Sequence, residues 1–103
     1  MLGLSEQIIQ QIILTICNNI SVNRIFIYGS RARGDYKKTS DIDIAIDTPD
    51  DTVGIKIILD DTIDTLLQFD VVNLNEANDN LKNEILTQGI LIYEQAWTST
   101  YRF

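Results

Sequence analysis

Histidine is absent from the 103 residues. That excludes Ser-His-Asp and Cys-His nucleophiles, histidine general bases and every zinc site with a histidine ligand. Cysteine occurs once, at Cys17, so neither an internal disulfide nor a cysteine-rich metal cluster can form. Proline also occurs once, at Pro49. Long apolar runs are missing: Ile12-Ile13-Leu14 and Ile90-Leu91-Ile92 fall far short of a membrane span, and no membrane association is expected. The opening stretch, Met1 to Glu6, lacks the basic region of a secretory signal, which makes the cytoplasm the expected location. Positive charge is scarce, with eight Lys and Arg against fifteen Asp and Glu and a net charge of −7. So acidic a chain is not expected to bind DNA or RNA directly. Any catalysis must therefore rest on carboxylates, hydroxyls, lysine, arginine or a hard metal ion.

What is present reads as one globular domain of alternating helices and strands. Ile8, Ile9, Ile12, Ile13, Ile16 and Ile20 recur at helical spacing. Ser5 is placed as the N-cap, and Leu4 and Ile9 as a hydrophobic staple. Cys17 lies beside that stripe and reads as a small core residue. Val22 to Tyr28 is a β-branched and aromatic strand that ends at Gly29. Residues 30–36 suit a short helix and 37–40 a polar loop. Asp41 to Asp47 alternates, with Ile42, Ile44 and Ile46 on one face and Asp41, Asp43, Ala45 and Asp47 on the other. Residues 51–67 suggest a helix, Phe69 to Leu74 a strand, Asn75 to Leu86 a helix stopped at Gly89, and Ile90 to Tyr93 a last strand. The resulting order, α-β-α-β-α-β-α-β, implies a mixed sheet flanked by helices. The domain is expected to end at residue 94. Residues 95–103 form a tail with Trp97, Tyr101 and Phe103, either a frayed end or a partner-docking segment.

Two short segments carry the chemistry. Gly29-Ser30 follows a strand and opens a helix, where a glycine lets backbone amides approach a phosphate and the serine hydroxyl adds a donor. Arg31 and Arg33 add positive charge nearby. Alone, the pair favours the plain reading, a strand-to-helix turn with Ser30 as N-cap. The spacing Gly29 to Gly34 suggests a P-loop, but Asp35-Tyr36 stands where Lys-Ser/Thr is required. In Asp41-Ile42-Asp43 both carboxylates project from one face of a strand. Two such charges repel unless a cation bridges them, and all-oxygen ligands favour Mg²⁺ or Mn²⁺. The plain alternative is a solvated strand face. Asp70, between Phe69 and Val71-Val72, is an acid within an apolar strand, and a metal site shared with the neighbouring strand would explain it.

Together, Tyr28-Gly29-Ser30-Arg31-Ala32-Arg33-Gly34 and Ser40-Asp41-Ile42-Asp43-Ile44 resemble the nucleotidyltransferase superfamily typified by DNA polymerase β. More narrowly, the chain is similar to the minimal nucleotidyltransferases (MNT), the antitoxins of HEPN/MNT toxin–antitoxin pairs. Phe69-Asp70-Val71 and the closing Gln88-Gly89-Ile90-Leu91-Ile92-Tyr93-Glu94 extend the likeness, which covers residues 5–94. It implies the polymerase β-like fold, with two Mg²⁺ ions held by Asp41, Asp43 and Asp70, the last also acting as base. It further implies a triphosphate turn at Gly29 and Ser30, with Arg33 beside it. The activity implied is transfer of AMP from ATP to a tyrosine of a cognate HEPN ribonuclease toxin in a hetero-oligomer. Larger relatives carry an added acceptor-binding domain, so here a partner protein is the expected acceptor. The rival expectations are an antitoxin that masks its toxin by binding alone, and a small-molecule nucleotidyltransferase.

Overall fold

A computed structural model describes residues 2–95. The expected tail from residue 96 onward lies outside them. Helix α1 (Glu6–Asn19) begins as the sequence predicts, with the Ser5 hydroxyl accepting from the Ile8 amide. Its isoleucines Ile9, Ile12 and Ile16 are buried, and Leu4 joins the same core. Cys17 packs against that core, half-buried, and burial pushes its thiol up despite a hydrogen bond with Tyr93.

Strands β1 (Arg24–Tyr28), β2 (Ile42–Asp47), β3 (Phe69–Asn73) and β4 (Ile90–Glu94) form one mixed sheet in the order β3-β2-β1-β4. β1 runs antiparallel to β2 and β4, whereas β2 and β3 are parallel. Parallel neighbours require a crossover, and α3 (Ile55–Thr62) supplies it. Ile25, Ile27, Ile42, Ile44, Ile46 and Phe69 face α1 and α3 and form the larger core. The opposite face is covered too: Phe26 and Ala45 are buried with Leu74 and with Ile85 of α4 (Asp79–Gln88). The alternative of a solvated face on β2 therefore fails, because Ala45 is fully buried.

Several boundaries differ from the sequence expectation. Val22 is buried but precedes β1, and α2 covers only Ser30–Arg33, closed by left-handed Gly34. The helix expected over 51–67 is shorter, because Gly54 adopts φ +95° and starts α3 there. The last helix begins later than Asn75. Asn73 caps a 3₁₀ turn at Leu74–Glu76 by accepting from the Asn75 amide, and Asn78 then caps α4 by accepting from Leu81.

Register in β3 is set by α3. Lys56 Nζ donates to the Phe69 carbonyl at 2.7 Å and to Asp60 at 3.0 Å. Asp60 in turn accepts from the Phe69 amide at 3.3 Å. Both backbone groups of Phe69 are thus gripped by one turn of helix.

Candidate active site

The exit of β1 lies beside the entry of β2, because the two strands are antiparallel. Tyr28 is directly opposite Asp43, and Asp43 is directly opposite Asp70 across the parallel pair. Three segments far apart in sequence thus place Tyr28, Asp43 and Asp70 in one row, on the face that α4 covers farther along. Asp41 lies at the mouth of β2, exposed, two residues before Asp43.

Gly29 is needed twice over. Its φ of +73° is a conformation that L side chains rarely adopt, and a Cβ there would strike the Asp43 carboxylate. The turn and the acid therefore occupy one packed unit. Gly29, not Ser30, is the N-cap of α2, so the expectation of Ser30 as N-cap is wrong. Ser30 is the first helical residue, and its hydroxyl is not used to cap the turn.

Asp43 is half-buried. Burial, then the charges of Asp70 and Asp41, push its carboxyl above the ordinary range, while Arg33 pulls the other way and Glu84 adds to the rise. The Tyr28 hydroxyl is pushed up to about 12 by burial and by Asp43, Asp70 and Glu84. Asp70 itself is exposed, which corrects the expectation of an acid enclosed by apolar neighbours. β3 is an edge strand, and only Phe69 and Asn73 in it are buried.

Among the described residues, no three acidic or cysteine side chains are gathered closely enough to hold a metal ion as they stand. The donor chemistry nonetheless fits one. The donors are carboxylate oxygens only, two of them paired across strands. Asp43 is held against the Gly29 backbone, where burial and its acidic neighbours disfavour its charge, a penalty that a cation would relieve. A groove of about 610 Å³ lies elsewhere, lined by Cys17, Asn19, Ser21, Asp50 and Tyr93 at the opposite end of the sheet, and holds no such pair.

The family model described as "Polymerase beta, Nucleotidyltransferase" matches residues 10–97. The chain belongs to that family. A Methanocaldococcus jannaschii chain named for protein adenylyltransferase activity is 32% identical over 87 residues, spanning 80% of this chain and 91% of that one. A toxin–antitoxin crystal structure with AMP-PNP superposes with TM-score 0.74 at 28% identity, over 84% of this chain and 73% of the other. A complex of tri-AMPylated Shewanella oneidensis HEPN toxin with MNT antitoxin gives TM-score 0.69 at 25% identity, over 87% and 72%. The mixed sheet with flanking helices is thus the polymerase β nucleotidyltransferase fold, as the sequence resemblance implies.

In this nucleotidyltransferase the two arginines of the turn part company. Arg33 is exposed, with Nε 3.4 Å from Asp35 and Nη1 3.7 Å from Glu84 of α4. Arg31, expected to add positive charge for an anion, instead turns inward and is only 2% exposed. It donates to the carbonyls of Leu2, Gly3, Lys38 and Ser40, and its guanidinium stacks over the Tyr36 ring. It ties the segment before α1 to the loop that delivers Asp41. Sequence reasoning missed this role, since nothing in the spacing separates Arg31 from Arg33. It also missed Glu84, whose only sequence mark is its place beside the buried Ile85.

Proposed function

We propose that this nucleotidyltransferase transfers AMP from ATP to a tyrosine of a HEPN-type toxin partner, silencing it. The observation that carries the reading is the row of Asp43 and Asp70 set against Gly29, which brings a phosphate turn and an all-oxygen donor pair together. The relatives support it: one toxin–antitoxin complex contains AMP-PNP, and another contains an AMPylated HEPN toxin. The partner and ATP make a cytoplasmic hetero-oligomer the setting in which the activity belongs.

In this reading the Gly29 and Ser30 amides and the Ser30 hydroxyl hold the triphosphate, and Arg33 neutralises part of its charge. Asp41, Asp43 and Asp70 would hold two Mg²⁺ ions, which would lower the pKa of the acceptor hydroxyl and stabilise charge on departing pyrophosphate. The acceptor tyrosine oxygen forms a bond to the α-phosphorus as the bond from that phosphorus to the bridging oxygen breaks. Asp70, exposed at the sheet edge, accepts the tyrosine proton. Exposure of Asp41 and Asp70 leaves a protein-sized acceptor free to approach.

The test is incubation with labelled ATP, Mg²⁺ and the toxin partner, followed by mass spectrometry. The expected result is AMP on a partner tyrosine, lost with Asp43→Asn. An unmodified partner that the Asp43→Asn protein silences equally well would show that binding alone is the mechanism.

A further inference from the structure

We propose that Glu84 is a positioning residue for the nucleotide, a latch that parks the Arg33 guanidinium until a polyphosphate takes it. The proposal rests on the nucleotidyltransferase reading above. Arg33 has two acidic neighbours of different kinds. Asp35 is two residues away on the same exposed turn and travels with Arg33. Glu84 comes from α4, a helix fixed by the Asn78 cap and by Ile85 in the core. It therefore decides where the guanidinium rests relative to Asp43.

The contact is built to be exchanged. At 3.7 Å, with both side chains about 40% exposed, it is an open ion pair of the kind that stabilises little. A phosphate offers the same guanidinium two parallel charge-assisted hydrogen bonds, which are stronger. Glu84 also lies within the field of the acid row, since its charge is felt at both Asp43 and Tyr28. Without nucleotide, Arg33 and Glu84 neutralise each other beside that row. With nucleotide bound, Arg33 moves to the phosphates and Glu84 is left to solvent.

Equilibrium binding of ATP with Mg²⁺ tests this on four proteins: the parent, Glu84→Gln, Arg33→Gln and the double variant. Glu84→Gln should tighten binding about two- to fivefold, the range of an exposed ion pair. Arg33→Gln should weaken binding, and in that background Glu84→Gln should have no effect. Equal tightening in both backgrounds would overturn the latch, leaving only general repulsion between Glu84 and the phosphates. Unchanged or weakened binding by Glu84→Gln would overturn it as well. If the parent protein bound no ATP, the nucleotide reading itself would fall and the latch with it.

Discussion

Asp43 is disfavoured as an anion in the free protein, and that has a measurable consequence. Its carboxyl titrates above the ordinary range because of burial, then Asp70 and Asp41. The folded state therefore holds the proton more tightly than the unfolded chain. This contribution to stability is complete below the unfolded pKa and is lost as pH rises through the folded one. Asp47 behaves in the opposite sense. Burial alone would raise it, but hydrogen bonds from Arg24 and Asn75, with the Arg24 charge, bring it below the ordinary range. Its contribution is present above the unfolded value and lost as pH falls through the folded one. The two windows lie on opposite sides of the ordinary aspartate value, about 3.9. Without divalent cation, raising pH from about 4 toward neutrality should lower the melting temperature of the parent protein but not of Asp43→Asn. At pH 7 the variant should be more stable by a few tenths to about 1 kcal/mol, the scale of a like-charged cross-strand pair. Added Mg²⁺ should raise the parent melt and leave the variant nearly unmoved. Gly29→Ala is predicted to lose both fold stability, by about 1–3 kcal/mol, and transfer, because its backbone is left-handed and its Cβ meets Asp43. Denaturant melts and transfer rates on the same preparation check both halves of that expectation.

At the level of elements, what was legible in the sequence is what local periodicity decides. The six-residue alternation of β2 and the isoleucine stripe of α1 are fixed by which face meets the core. α3 starts later than the sequence predicts because Gly54, rather than the Thr48-Pro49-Asp50 break, provides the left-handed residue from which the helix departs. The sequence expectation starts the last helix at Asn75, but Asn73 takes the Asn75 amide into its own turn and α4 starts from the Asn78 cap. Arg31 was illegible for a different reason. Its partners lie 29, 28, 7 and 9 residues away and meet only once the chain has folded. It links two loops that have few other ties, one of them leading to Asp41. Arg31→Met keeps an unbranched apolar stem but removes the guanidinium, and with it the donors and the stacking on Tyr36. It should destabilise the fold by about 2–3 kcal/mol, since bonds from a charged donor to buried carbonyls are lost. Below its lowered melting point the variant should also transfer AMP more slowly. Unaltered stability in a denaturant melt would show that the loops hold without the clamp.

At the scale of the whole molecule, the candidate site was legible as a set of residue types but not as a neighbourhood. The Gly-Ser turn and the Asp-x-Asp strand are visible from spacing, whereas Glu84 joins them only through the packing of α4 across the sheet. Asp41 and Asp70 are exposed at the open end of the sheet, so in the proposed reaction the acceptor brings its own positioning. Holding the acceptor hydroxyl in line converts a two-body encounter into an effectively unimolecular step. Transfer to water or to free tyrosine should accordingly be negligible beside transfer to a bound partner. Pyrophosphate release measured with and without the partner reports this directly, and comparable rates would place the acceptor's positioning within this chain.

The grip of Lys56 and Asp60 on Phe69 divides the chain into stretches with different tolerance to drift in length. Between α3 and β3 the connection can gain or lose residues at little cost, since loop closure changes slowly with length. Between Phe69 and Asp70 it cannot. One added residue there would itself stand opposite Asp43 and would turn the Asp70 carboxylate toward the isoleucines of the larger core. Descendants of this sequence can therefore vary most at the 64–66 stretch, between the buried Ile63 and Gln68, whose carbonyl accepts from the Ile42 amide, while from Phe69 onward the spacing to Asp70 is frozen by the helix that precedes it.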